Sequence, residues 1–362
     1  MVREDPARRG LLFAGTERGV FVSFDDGGHW ASLQNGLPTT SVRDITVHGD
    51  DLVIATHGRG FYILDDIEPL RELAANPNRD TRLFAPAAAV RFRSESFTGT
   101  PKPKDEPMAA NPPAGAPIDY ALAAGAHGPV ELVITDEAGA VVRRFSSADV
   151  VPAADLTKID TAPEWIASTP VLAAGDGPHR FYWDLHYALP AVLNDSPFAA
   201  GVWAPPGRYG VSLAVDGVAY RQTLTVAPDP RVRVTAEAYR REVILARKIE
   251  AMRVQITTIE ADMAAMRANP PRFTEAAQAS LAGRLLALTD ERSLKDLSAW
   301  AERLSGLQSA VDNADGAPSD DAVTGFSIAS HRVETIATRW SSFKADIAAA
   351  ALVKQRATAT GG

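Results

Sequence analysis

Shifted by 40 residues, one stretch of this chain falls on another: LLFAGTERGVFVSFDD (Leu11 to Asp26) aligns with DLVIATHGRGFYILDD (Asp51 to Asp66). Leu12 and Leu52, Thr16 and Thr56, Phe21 and Phe61, Asp25 and Asp65, and Asp26 and Asp66 are identical. Each copy reads as a short apolar strand, a Gly/Arg turn, and a second apolar strand that ends in acidic residues. A period near 40 residues with several strands per unit suits the blade of a β-propeller.

SFDDGGHW, Ser23 to Trp30, overlaps the end of the first copy and carries the spacing Ser/Thr-x-Asp-x-Gly-x-x-Trp. Its chemistry is that of a tight hairpin turn. The Asp25 carboxylate can accept turn amides, Gly27 can take a positive φ, and Trp30 can pack across the hairpin. On these residues the segment resembles the last one or two blades of a BNR/Asp-box β-propeller, as in sialidases and sortilin-type propellers. THGRGFYILDD, Thr56 to Asp66, is similar to the closing blade of large bacterial proteins described as glycosyl hydrolase, BNR repeat. His29 replaces the threonine more usual in the box. The resemblance implies a structural role for Ser23, Asp25, Gly27 and Trp30 on the propeller rim, not a catalytic one.

Two blades cannot close a ring, because propellers protect their sheet edges with ~4–8 blades. Either further blades lie upstream of Met1 in a longer reading frame, or a protein partner covers the open sheet. A fragment of a longer chain is the expectation. His57 and Arg59 sit in the turn of the second copy, where a complete propeller would present them toward a ligand on its axial face. The plain alternative is a structural turn.

Glycine and proline mark the next boundary. Before residue 232 lie 20 of the 26 glycines and 22 of the 25 prolines, so turn-rich β structure gives way there to helices. Thr98 to Pro117 contains six prolines and reads as a loop. Beyond it, PVELVITDEAGAVVRRF reads as a hairpin, HRFYWDLHY alternates with Phe181, Trp183 and Leu185 on one face, and PPGRYGVSLAVDGVAYRQTLTV turns at Asp216-Gly217. Several short strands with such turns predict an antiparallel β-sandwich. The order WDL, PPGRYGV, then a closing VDG hairpin resembles the Ig-like domain of flagellar-hook-capping type, a packing and assembly module.

From Ala236 the period is helical. Leu245, Ile249, Met252, Ile256, Ile259, Met263 and Met266 form a 4-3 seam that Asn269-Pro270-Pro271 ends. Leu281 to Leu307 predicts one or two further helices. Ser319 can cap a last one with Val333 and Trp340 in one row and Ile336 and Phe343 in the next. The expected fold class is therefore multidomain β plus α: partial β-propeller, Ig-like antiparallel sandwich and C-terminal antiparallel helical bundle. The segments are 1–68 for the blades with the Asp box, 69–117 for the linker and sandwich lead-in, 118–231 for the sandwich, and 232–357 for the bundle.

No reactive constellation stands out. With no cysteine there is no thiol nucleophile or Cys-based zinc site, and the seven histidines show no metal-ligand spacing, so neither metal nor cofactor is expected. His179 and His186 bracket one strand and face opposite ways. Asp25/Asp26 and Asp65/Asp66 are neighbours on strands, which separates their carboxylates instead of pairing them around a sugar. Asp184 reads as an acceptor at a strand bend. Trp165 and Trp203, in loops, could stack on carbohydrate, plug the ends of the sandwich or pack on the helical bundle.

The net charge of −8 argues against a broad grip on nucleic acid. No apolar run reaches the length of a signal peptide or membrane span. As written the chain reads as soluble, while the resemblance implies a periplasmic or secreted parent. The function expected is a non-catalytic assembly and interaction region. The alternative is the accessory C-terminal part of a glycoside hydrolase whose catalytic blades lie elsewhere.

Overall fold

The computed structural model describes residues 1–76, 78, 80–93, 111–151, 157, 171–194, 196, 199–270 and 275–359. Most of the proline-rich loop at 98–117 and Trp165 lie outside these described residues. The fold is mixed β plus α, with several sheets and five helices among them. It divides into two compact units: Met1–Leu185 with Pro206–Asp229, and His186–Pro205 with Pro230–Gly362.

The first unit opens with two small sheets. Strands β1 (Val2–Glu4), β2 (Leu12–Thr16), β3 (Gly19–Ser23) and β4 (Ala31–Ser32) lie side by side in sequence order, as do β5 (Val42–His48), β6 (Asp51–Thr56) and β7 (Phe61–Leu64). The two copies of the repeat thus form equivalent antiparallel hairpins, β2–β3 and β6–β7. Alternation decides which face is buried. Phe13 and Val22 from one hairpin and Leu52 and Ile54 from the other meet in one core with Ile45 and Ile67.

After β7 the chain turns into helix α1 (Glu68–Ala75), inside the stretch that sequence placed in a linker. Pro69 near its N-terminus suits the first turn, where its missing N–H costs nothing. Arg71 of this helix reaches back to Asp5 just beyond β1. Its Nε and Nη2 donate to both Asp5 oxygens at 2.7 and 3.1 Å, Nη1 to Asp50 and Glu68 at 2.5 and 2.6 Å, and Nη2 to the Gly49 carbonyl at 3.0 Å. The Arg71 side chain is 8% exposed and that of Asp5 is 0%. Asp5's hydrogen bonds, helped by Glu68 and Asp50 and opposed by burial, raise the guanidinium's pKa.

The rest of the unit contains β8 (Arg82–Leu83), β9 (Ala89–Arg91), β10 (Ala116–Leu122), β11 (Glu131–Thr135), β12 (Val141–Ser146), β13 (Gly177–Trp183), β14 (Gly207–Val215) and β15 (Val218–Pro228). They form two sheets, β13-β10-β8 and β12-β11-β14-β15-β9. Edge-to-face ring pairs cross between them: Phe181 with Phe145 at 4.7 Å and Trp183 with Tyr209 at 5.1 Å between centroids. Asp216 and Gly217, both at positive φ, make the tight β14–β15 turn. Two expectations change here. The larger sheet is not wholly antiparallel, because β9 joins the β15 edge in parallel. The HRFYWDLHY strand ends at Trp183, where Leu185 turns left-handed (φ 59°) while remaining buried.

In the second unit, helices α2 (Ala236–Ala268), α3 (Glu275–Leu288), α4 (Glu291–Asp312) and α5 (Asp320–Ala359) pack around Ile249, Ile256, Leu304, Val333, Trp340 and Phe343. The starts of α2, α4 and α5 are capped by local side chains. Thr235 accepts from the Ala238 amide, Asp290 from Ser293 and Ser319 from Ala322. Residues 186–205, within the stretch expected in the sandwich, belong to this unit as a strap. Its His186–Trp203 bridge and 3₁₀ turn at Ala191–Leu193 place Val202, fully buried, in the helical core.

Candidate functional site

Ser23 to Trp30 forms a closed hydrogen-bonded turn between β3 and β4. Ser23 Oγ donates to Asp25 Oδ1 at 2.9 Å and accepts from the Gly27 amide at 2.9 Å. Asp25 Oδ1 also accepts from the His29 amide at 2.8 Å, and its Oδ2 lies 2.5 Å from His29 Nδ1. Asp26 and Gly27 are left-handed in succession, at φ 58° and 90°; only glycine takes the second of these without strain. The hydrogen bonds from His29 and Ser23 hold the Asp25 pKa down to about 2. His29, the residue that departs from the Asp-box pattern, is therefore one of the carboxylate's main partners. Trp30 is 40% exposed, and its ring edge lies over Gly27.

The second copy repeats this path as far as Asp66, left-handed at φ 54° like Asp26, and then departs from it. Ile67 stands where Gly27 does in the first copy. Its branched side chain disfavours positive φ; at φ −92° it directs the chain into α1 and is itself fully buried. Among the described residues no fourth strand returns beside β7, and Phe61 and Ile63 stand 78% and 58% exposed. With Val53 and Ala55 opposite them on β6, they make an open apolar face. His57 and Arg59 are exposed in the β6–β7 turn, where the His57 amide donates to the Ser41 carbonyl at 2.8 Å.

The acidic end of β7 is joined to the larger part of the unit by Arg180 of β13. Its Nε and Nη2 donate to both oxygens of Asp119 at 2.8 and 3.0 Å, and Nη1 and Nη2 donate to the carbonyls of Asp65 and Asp66 at 2.7 and 2.9 Å. Burial opposes the Arg180 charge, but Asp119 overcomes it and raises the pKa. Tyr182 adds a further hydrogen bond, and its own pKa is pushed up by burial. This Arg has its donors committed to the fold, unlike the open guanidinium that would clamp a substrate anion. The Asp66 carboxylate accepts from the Glu68 amide at the start of α1, and burial raises its pKa. Of the carboxylates a glycosidase would have to draw on, that of Asp25 is thus tied to its turn and that of Asp66 to a helix start, while Asp65 is held through its main-chain carbonyl.

Trp203 packs against His186 within the strap, with ring centroids 4.1 Å apart and ring planes tilted by 47°. Beside it, Tyr187 lies under the Arg247 guanidinium at 4.3 Å. On α2, Glu250 accepts from the Val202 amide and is 6% exposed, with Oε1 buried and unpartnered. Burial raises its pKa in spite of Arg247 and Arg253. An open groove in the same unit is lined by Arg267, Leu294, Lys295, Ser298, Ala299 and Glu302, residues of both charge signs.

Arg71, Arg180 and Glu250 were not singled out from sequence. Arg180 had a signal, since it alternates with Phe181 and Trp183, as Asp119 does with Ile118 and Tyr120. Glu250 follows the seam residue Ile249 and had none. Among the described residues, no three His, Asp or Glu side chains gather closely enough to hold a metal ion, and no helix is long and apolar enough to cross a membrane. Compared with protein-family models, curated proteins and solved structures, the chain matches none.

Proposed function

We propose that the chain is a non-catalytic assembly and interaction region of a BNR/Asp-box propeller protein and a piece of a longer polypeptide. In this reading the two small sheets are its terminal blades, followed by an Ig-like sandwich and a helical bundle. The observation that carries it is the pair of small sheets. They follow one 40-residue plan to the left-handed Asp26 and Asp66 and share one core, yet the outer face at Phe61 and Ile63 is uncovered. A face of that kind suits another sheet stacked against it. The structural roles of Asp25, Asp65 and Asp66 support a scaffold more than a hydrolytic site.

The test is the intact mass of the native polypeptide in its source cells, together with assays of the purified chain on glycoside and peptide substrates. A native mass well above 38.6 kDa and no turnover are expected. A native mass of 38.6 kDa would remove the longer parent, and turnover at rates typical of enzymes would overturn the non-catalytic reading.

A further inference from the structure

The strap at 186–205 closes on itself before it meets the helices. His186 and Trp203 bridge its two arms, and the Tyr187 amide donates to the Val202 carbonyl at 2.8 Å. Gly201 lets the arms touch, since a Cβ added there would lie 2.2 Å from the Tyr187 carbonyl oxygen. Arms joined in this way seat or lift as one piece. The piece meets α2 through the 3₁₀ turn at Ala191–Leu193 and through Val202. The Val202 side chain is buried in one core with Ala246 and Ile249, and its amide donates to the Glu250 carboxylate. The other oxygen of that carboxylate, Oε1, is buried and has no donor.

Among the described residues, the charges that act on Glu250 are Arg247 and Arg253, both on its own helix. Both are engaged elsewhere: Arg247 lies over the Tyr187 ring at 4.3 Å, and Arg253 donates to Gln308 of α4 at 2.8 Å. The strap contributes the titratable His186 and Tyr187, and α4 contributes Asp312 one turn beyond Gln308. Helix α5, which also packs on α2, adds no charge that acts on Glu250. Glu242 and Asp315 have their own donors, the Gly316 amide and the Tyr239 hydroxyl, with Glu242 about 12 Å away along the axis of α2.

We propose that Glu250 makes the strap a proton-controlled clasp, seated on α2 while the carboxyl is protonated and lifting when the proton leaves to solvent. With the strap seated, the ionised group keeps one buried oxygen without a donor, a cost that the neutral carboxyl largely escapes. Lifting the strap opens Oε1 to water and removes that cost, at the expense of the Val202 contacts. Burial accordingly raises the pKa of the seated carboxyl above 4.5. The sign follows by linkage. The seated strap holds a proton that the open one releases, so rising pH favours opening from 4.5 up to the seated value and has no further effect beyond it. This inference goes beyond the assembly reading and does not depend on it.

The test is hydrogen exchange on the full chain at the Tyr187, Leu193 and Val202 amides, corrected for the intrinsic effect of pH on amide exchange. As pH rises from 4.5, protection at these amides falls by up to about tenfold per pH unit and then levels off. The fall ends where the Glu250 carboxyl carbon resonance of the unmodified chain titrates. At every pH the strap amides are less protected than those of α4, which marks a local opening. Glu250→Gln, which keeps an acceptor for the Val202 amide, makes strap protection independent of pH. Protection that does not change above pH 4.5 in the unmodified chain overturns the proposal, as does an unchanged pH dependence in Glu250→Gln. Loss of the dependence in His186→Ala or Asp312→Asn instead also overturns it, by assigning the proton to another group. Strap amides as protected as those of α4 overturn it too, by showing that the strap opens only when the helices unfold. None of these results bears on native mass or turnover, so the assembly reading stands or falls separately.

Discussion

Replacing Arg71 by methionine isolates the strongest electrostatic contact between the two small sheets. The guanidinium bonds both oxygens of Asp5, whose side chain is 0% exposed, and so neutralises a carboxylate that has no access to water. Its other acidic partners are far more open, Asp50 at 64% and Glu68 at 46% exposure, and are worth about 0.2–1 kcal/mol each. The main loss is therefore the uncompensated Asp5 charge, about 3–5 kcal/mol. For the first unit this corresponds to a fall of roughly 6–20 °C in its melting temperature. Because the chain has two units, a single melting curve is not a two-state measurement, so exchange at β1, β5 and α1 amides is the assay to use. Replacing both partners, Asp5→Leu with Arg71→Met, removes the buried charge along with its partner and is expected to restore most of the loss. If Arg71→Met cost less than about 1 kcal/mol, or the double variant were as unstable as the single, the buried pair would not anchor these sheets.

The remaining expectations concern the turn, the strap and one buried acid. Asp25 is held down to about 2, so its contribution to the turn is present above the unfolded value of 3.8 and is lost as pH falls through about 2; His29→Ala should move the Asp25 carboxyl resonance titration back toward 3.8, and an unmoved titration would refute the His29 contact. Glu250 has a raised pKa, so its own contribution to the helical unit is fully present below 4.5 and is lost as pH rises through the raised value, by at most about 1.4 kcal/mol per pH unit. Glu250→Gln should flatten that slope in denaturant titrations across pH, and an unchanged slope would show that another group carries it. Val202→Ala should cost about 1–3 kcal/mol and speed exchange in α2 rather than in β14, because Val202 is packed among the helices. Faster exchange confined to the β14–β15 hairpin would contradict the assignment of the strap.

Much of the architecture was legible because its causes are local. The helical seam, the Ser319 cap, the Asp216-Gly217 turn and the repeated hairpins each depend on residues within a few positions of one another. Helix α1 was missed for a local reason as well. Glu68 to Ala75 is short, begins with an acidic residue and proline, and falls where the chain reads as the start of a linker. Its cause is Ile67, at the place where the first copy has Gly27. That one substitution decides whether the chain doubles back as a strand or enters a helix.

What the sequence determined by itself is the set of elements and the faces they bury, since periodicity and turn chemistry act along the chain. What only the tertiary structure decided is how distant pieces are shared. Residues 186–205 leave the β unit to complete the helical core, β9 adds to β15 in parallel, Arg71 closes on Asp5 across 66 positions, and Arg180 reaches the Asp65 and Asp66 carbonyls across 115 and 114. Such contacts depend on which surfaces meet once the elements pack. A buried guanidinium or carboxylate then takes whatever partners that packing places within reach, because leaving it unpaired costs several kcal/mol. The candidate site belongs to this second class. Phe61 and Ile63 look like ordinary core residues in the sequence, and only the folded chain shows them standing at an open edge.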